Sequence, residues 1–487
     1  MEFIEIPFKF CTNKVFYLPL NKHQIKFTMK HFTLFISIII ALAMTSYAQE
    51  VTPSTSWSGE ISLGGSKLKV EFVMKTLPDG QEACALNVPA QGAKNIPVEV
   101  KRNTPDSLYL SIPLIRAIYK GRKVSAESIV GIFTQNGMSL PLNLAPGKSE
   151  LARPQMPKPP FAYTTEEIVF TNDAEGATLA GTLTYPIGYE SYNHESIPVV
   201  LMVTGSGSQN RDEEILGHKP FFVIADFLAR NGIASLRYDD RGVGQSTGSI
   251  SGITTENNLA DATAGVAYLR SLNKFGRIGV LGHSEGGTIA FMMGAEKSVD
   301  FLISLAGCAA NGIDVIVGQN EAALQLQGIS QEWIDNYTTA LRILYKERVE
   351  GKVNTEPMQY VEELCKTNNL TLPDNLKNNL ALCTTAGGEW FTWFLAYDPA
   401  IAIRQITCPV MAANGNLDLQ VLSQDNLPII RENLPPNKKS NIKEYDSLNH
   451  MFQHCSPTTA LSYGTIEETI SEELLHDIVN WIKHLDK

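Results

Sequence analysis

Residues 277–287 read RIGVLGHSEGG, a compact apolar run that ends in a glycine-flanked serine. Apolar residues follow directly at 289–293 (IAFMM), so the serine falls between a buried strand and a helix. That strand–turn–helix setting gives the short pattern Gly282-His283-Ser284-Glu285-Gly286 its meaning, since G-x-S-x-G alone arises often by chance. A nucleophilic serine must stand clear of the sheet on a tight turn. Positions 282 and 286 must therefore be nearly free of side chain, and Gly287 serves the packing of the helix. The helix N-terminus points at the same spot and favours developing negative charge. Ser284 is the expected nucleophile, and the backbone N–H of Glu285 an expected oxyanion donor.

Working outward, similar runs recur without clean alternation: PVVLMVTG (198–205), IASLRYD (233–239), DFLISLAG (300–307) and CPVMAANG (408–415). Such runs suit parallel strands buried on both faces. Helical patterns separate them, among them KPFFVIADFLARNG and NNLADATAGVAYLRSL, and the last, SEELLHDIVNWIKHL, carries Leu475, Ile478, Val479 and Ile482 on one stripe. The fold class is α/β, a doubly wound, mostly parallel sheet. Residues 309–399 interrupt the rhythm with helix-rich sequence containing Trp333, Tyr337, Trp390 and Trp393, and they read as a lid.

A serine at neutral pH needs a base, and the base an orienting acid. In this class the chain order is Ser, acid, His. Asp418 follows the strand at 408–415, and His450 follows the strand NIKEYD (441–446), so each sits past a strand's C-terminal end, where these folds place their sites. Asp446 and Asp425 are rival acids, and His454 a rival base. The second oxyanion donor is expected in the loop TGSGSQNRDEE (204–214), with Ser206 N–H first and Gly207 close behind. Arg211 and Asp212 of this loop are expected to form a stabilising ion pair. Asp240 and Arg241, in RYDDRGVGQSTG (237–248), are expected to buttress the loops beside the nucleophile.

Upstream, residues 164–487 give way to a Pro-rich linker at 146–163, within which RPQMPKPP cannot continue either core. Residues 49–145 alternate in short runs. KLKVEFVM sets Leu68, Val70 and Phe72 on one face, and DSLYLSI does so with Leu108, Leu110 and Ile112. This is a small all-β barrel or sandwich with no catalytic constellation. Residues 1–48 combine an upstream extension with a signal peptide at 29–48: Lys30 and His31, an apolar run from Phe32 to Met44, then Ser46 and Ala48 before the expected cleavage. Export to the periplasm or the cell exterior is the expectation, with no stable membrane anchor once the signal is removed.

The formal net charge is −11, and no Lys/Arg cluster argues for nucleic acid. Of seven cysteines, the six downstream of Cys11 are scattered without CxxC spacing and read as buried free thiols. No HExxH, Walker or complete dinucleotide pattern is present, so neither a metal nor another cofactor is expected.

GSGSQNRDE, HKPFFVIADFLARNGIASLRYDDRGVGQSTG, GHSEGG, NGNLDLQV and LNHMFQ together resemble the bacterial EstD-type carboxylesterases of the α/β-hydrolase superfamily. The resemblance is strongest from about Glu166 onward. It implies a serine esterase with an extra N-terminal β-rich domain, short-acyl esters as substrates, and Ser284, Asp418 and His450 as nucleophile, acid and base. Two positions depart from the expected pattern: Ser208 stands for Pro, and Ser447 for Gly. The same blocks are partly shared with serine aminopeptidases. That alternative calls for an amine-binding carboxylate near the lid, for which Glu285 and Glu389 are available. A non-catalytic exported binding protein is a third reading.

Overall fold

In the computed structural model the described residues are 54–63, 66–77, 80–91, 93–148, 152–352, 356–385 and 387–485. The upstream extension and the expected signal peptide lie outside them. The chain divides into two compact units, one holding most of the residues up to Arg153 and the other holding 154–214 and 218–487.

The first unit contains nine strands among the described residues, from Ser54–Leu63 to Leu144–Pro146. Each strand from Ser54–Leu63 to Ser128–Gln135 pairs antiparallel with the next. The short strand Leu144–Pro146 then bridges the two ends, pairing with Ser128–Gln135 at Ile129 and with Ser54–Leu63 at Gly59. The sheet thus closes on itself as a barrel, which leaves no long open edge. Its interior is the side of the alternation that the sequence marked: Val70, Phe72, Leu108, Leu110 and Ile112 are buried. Tyr119 fills the centre. Gly121 and Gly131 face each other across two strands, and a Cβ on either would strike its ring.

The second unit holds an eight-stranded sheet. Its strands are β1 (Thr165–Asn172), β2 (Ala177–Thr184), β3 (Val199–Val203), β4 (Ala234–Tyr238), β5 (Ile278–His283), β6 (Phe301–Leu305), β7 (Val410–Gly415) and β8 (Asn441–Tyr445), in the order β1-β2-β4-β3-β5-β6-β7-β8. β1 and β2 form an antiparallel hairpin, β2 runs antiparallel to β4, and β4 through β8 are parallel. The apolar runs are buried on both faces. Val199, Leu201 and Val203 of β3 enter one core, and Val200 and Met202 enter the other.

Helices cover both faces. α1 (Pro220–Arg230) and α11 (Glu472–His484) pack on the core of Val200 and Met202, and the predicted stripe of Leu475, Ile478, Val479 and Ile482 faces that core. α2 (Thr255–Ser271), α3 (Glu285–Ala295) and α10 (Ser423–Asn433) pack on the other. α3 is buried from Glu285 to Gly294, on every side. Between β6 and β7 the predicted lid forms α4 (Gly312–Leu326), α5 (Gln331–Val349), α6 (Pro357–Thr367), α7 (Asp374–Cys383) and α8 (Gly388–Ala396), with α9 (Pro399–Ile403) returning to the sheet. Tyr337, Leu341 and Tyr345 of α5 form part of its interior. None of the described helices is long and apolar enough to cross a membrane.

Candidate active site

The last residue of β5 is His283 and the first of α3 is Glu285, so Ser284 alone makes the turn. It does so at φ 55°, ψ −119°, outside the usual regions for a residue with a side chain. The geometry leaves no room for neighbours. A Cβ at position 282 would overlap the carbonyl of Gly286, and one at 286 would overlap the carbonyl of Val203. One at 287 would come within 2.6 Å of the Gly307 backbone. Ser284 is buried, and its own N–H donates to Leu305 O at 2.9 Å, tying the turn to the end of β6.

The loops after β7 and β8 are pressed together. Asn416 N–H donates to Tyr445 O, Leu417 N–H donates to Leu448 O at 3.0 Å, and a Cβ on Gly415 would strike Leu448. This packing brings Asp418 and His450 into contact, with His450 Nδ1 2.8 Å from Asp418 Oδ2. The other carboxylate oxygen, Oδ1, accepts from the N–H groups of Gln420 and Val421 at 2.8 and 2.9 Å. Both residues are buried, and the bond is shielded from water. The rivals stand elsewhere. Asp446 lies just beyond β8 and accepts from Asn416, exposed His454 pairs with Glu468 at 2.9 Å, and Asp425 sits in the first turn of α10 near Asp314 and Arg342.

Ser284 Oγ makes no hydrogen bond among the described residues, and the contact between the serine turn and the histidine loop runs instead through His283. Its Nε2 lies 2.9 Å from His450 O, and the two rings stand 4.7 Å apart. His283 Nδ1 lies 2.9 Å from Glu213 Oε1. Glu213 also accepts the N–H of Gly205 at 2.9 Å. Glu213 carried no functional signal in the sequence, although its loop was singled out.

That loop packs directly on the serine: a Cβ on Gly205 would lie 3.1 Å from Ser284 Cβ. Among the N–H groups without a protein acceptor in the described residues are those of Ser206 and Gly207 on the loop and of Glu285 at the first position of α3, where a helix has no acceptor of its own. Asp240 holds the loop by accepting from Gln209 N–H at 2.8 Å and from the Thr204 hydroxyl at 3.0 Å. Enclosure away from water pushes its carboxyl up to about 8. The expected Arg211–Asp212 pair is not formed. Arg211 turns to Asp239 and Glu167, while Asp212 pairs with Arg237 and Lys219. Each of the two side chains takes a partner from the end of β4 rather than its neighbour in the chain. Arg241 grips the buried Asp261 with two bonds of 2.7 and 2.8 Å.

The Glu285 side chain is buried, only 2 % exposed. Its Oε1 accepts from the Thr255 hydroxyl at 2.6 Å and from the Trp390 indole of α8 at 2.8 Å. The Ser206 side chain is a third hydrogen-bonding neighbour of this carboxylate. Burial raises this carboxyl above the usual range, against the hydrogen bonds that hold it down. Glu389, the other acid considered near the lid, is exposed beside Gly252. The six described cysteines are free, and no group of His, Cys, Asp and Glu among the described residues is arranged to hold a metal ion.

The chain is similar to several known proteins. The family model described as Serine aminopeptidase, S33 matches residues 219–392. The esterase EstD of Thermotoga maritima is 24 % identical over 316 residues, 64 % of this chain and 68 % of the relative. Among solved structures, the Pyrococcus furiosus esterase Pf2001 covers 69 % of this chain and 99 % of its own, with 16 % identity and a TM-score of 0.40. The proline iminopeptidase of Mycobacterium smegmatis covers 66 % of this chain and 99 % of its own, with 15 % identity and a TM-score of 0.41. With its eight-stranded sheet, its serine turn and its resemblance to bacterial esterases such as EstD, the chain is a hydrolase of the α/β-hydrolase fold.

Proposed function

We propose that the protein is an exported serine carboxylesterase acting on short-acyl esters of small molecules. The observation that carries the reading is the strained turn at Ser284, whose neighbour His283 contacts His450, a histidine with its ring held by Asp418. His450 takes the hydroxyl proton of Ser284 as its oxygen attacks the ester carbonyl. The N–H groups of Glu285 and Ser206 receive the developing oxyanion, and the positive end of α3 adds to them. Asp418 keeps Nδ1 protonated, so that Nε2 is the free base. The ester C–O bond then breaks, and the alcohol leaves with the proton held by His450. Water, deprotonated by the same ring, hydrolyses the acyl-enzyme and restores Ser284. Export rests on the signal-like stretch at 29–48.

A second reading, a serine aminopeptidase with the same three residues, is favoured by one observation. The buried carboxylate of Glu285 lies one residue from the serine and has the charge that a substrate ammonium needs. The test is hydrolysis of p-nitrophenyl esters from acetate to dodecanoate beside aminoacyl p-nitroanilides, by the protein and by its Ser284→Ala form. Turnover of short esters that vanishes with Ser284 supports the esterase. Cleavage of anilides with esters untouched moves the reading to the peptidase.

A further inference from the structure

We infer that His283 and Glu213 form a positioning pair that shares one buried proton and ties the oxyanion loop, the serine turn and the histidine loop into a single unit. The inference rests on the reading of Ser284 and His450 given above. Each ring nitrogen of His283 faces an acceptor: Nε2 faces His450 O and Nδ1 faces Glu213 Oε1, both at 2.9 Å. A carbonyl oxygen only accepts, so Nε2 carries a hydrogen. A neutral ring beside an ionised Glu213 would then set two lone pairs against each other, so a second proton lies between Nδ1 and Oε1. His283 and Glu213 are 6 % and 3 % exposed, which leaves little access for water to replace it. The same oxygen of Glu213 accepts the Gly205 N–H, and Gly205 abuts Ser284 Cβ. One chain of hydrogen bonds therefore runs from the oxyanion loop through Glu213 and His283 to the backbone of His450.

The charge that His283 meets is mostly negative. Glu213 faces it from the oxyanion loop and Asp418 from the loop after β7, with the His450 ring beside it on the loop after β8. These contacts outweigh burial and raise its affinity for the proton. As pH climbs past the raised titration of His283, the proton leaves and the chain opens at its centre.

Side-chain length separates the two ends of the chain. In His283→Gln the amide replaces Nε2 and keeps the tie to His450, while in His283→Asn it replaces Nδ1 and keeps the tie to Glu213. Glu213→Gln cannot serve both partners, because a neutral ring with its hydrogen on Nε2 needs the amide NH2 at Nδ1, and the oxygen that accepts the Gly205 N–H is then turned away. The readouts are the rate of fluorophosphonate labelling of Ser284, kcat and KM on p-nitrophenyl acetate, and melting by circular dichroism. Each single variant is expected to label and turn over about 10- to 100-fold more slowly, with KM within about threefold of the parent. The double variant Glu213→Gln/His283→Gln should be no slower than the slower single, since both cut the same chain. The alkaline fall in kcat should disappear in Glu213→Gln, where no shared proton remains to be lost.

Folded single variants that label at the parent rate would overturn the inference while leaving the esterase reading intact. Losses that multiply in the double variant, or a KM rise with kcat unchanged, would overturn it as well. A parent protein that the probe does not label would overturn the reading of Ser284, and this inference with it.

Discussion

His450 Nδ1 and Asp418 Oδ2 stand 2.8 Å apart in a buried pocket, and the acid is kept from rotating by two backbone N–H groups on its other oxygen. In Asp418→Asn the amide oxygen is expected to keep Gln420 and Val421, which turns the NH2 toward His450. Nδ1 must then accept, and the free base is lost from Nε2. Activity on p-nitrophenyl acetate should fall by about 10⁴-fold while the melting temperature stays close to the parent's. Retention of more than about a tenth of kcat would exclude this role for Asp418.

Ser284 holds a backbone conformation that a side chain disfavours. Ser284→Gly should therefore be inactive and yet more stable by about 1 kcal/mol, because glycine adopts φ 55° without strain. Chemical denaturation of parent and variant compares the two directly. An unchanged or lowered midpoint would mean that the turn is not strained.

Asp240 binds a proton far more readily in the folded chain, up to about 8, than an ordinary carboxyl does. A raised acid makes the folded state take up the proton first. Its contribution is thus complete at low pH and is lost as pH rises from about 4 toward its own titration. Asp240→Asn removes that titration. The melting temperature should consequently decline less between pH 5 and pH 9 in the variant than in the parent, and identical slopes would refute the assignment.

In the barrel, the Tyr119 hydroxyl is buried without a hydrogen-bond partner among the described residues. Leaving such a group unpaired costs free energy, and Tyr119→Phe deletes only that oxygen. The variant should gain about 1 kcal/mol, with ester hydrolysis unchanged. A loss of stability on denaturant titration would point to a partner for the hydroxyl.

The parts of this fold that were legible in the sequence are those governed by local pattern. Strands β3 to β7 are largely apolar without alternation because they lie between two cores. The turn at 282–287 is legible because its glycines answer clashes within a few residues. The β1–β2 hairpin was harder to see: in β1 only Ile168, Phe170 and Asn172 are buried, so the strand makes no continuous apolar run. Barrel closure depends on Leu144 meeting both Ile129 and Gly59, a pairing that no stretch of sequence announces. Glu213 reaches His283 across 70 positions, and Trp390 reaches Glu285 across 105. Neither residue type is unusual where it stands, so only the folded chain reveals the contact. Arg211 and Asp212, adjacent in sequence and opposite in charge, show the reverse, because each pairs with a charge at the end of β4 rather than with the other.

The left-handed backbone at position 284 also narrows what evolution can place there. A side chain branched at Cβ fits that region poorly, so threonine is excluded at the turn while serine and cysteine are admitted. Drift at this codon between oxygen and sulfur chemistry passes through tolerated backbones, whereas the route to a threonine-dependent enzyme is closed before any substrate is chosen.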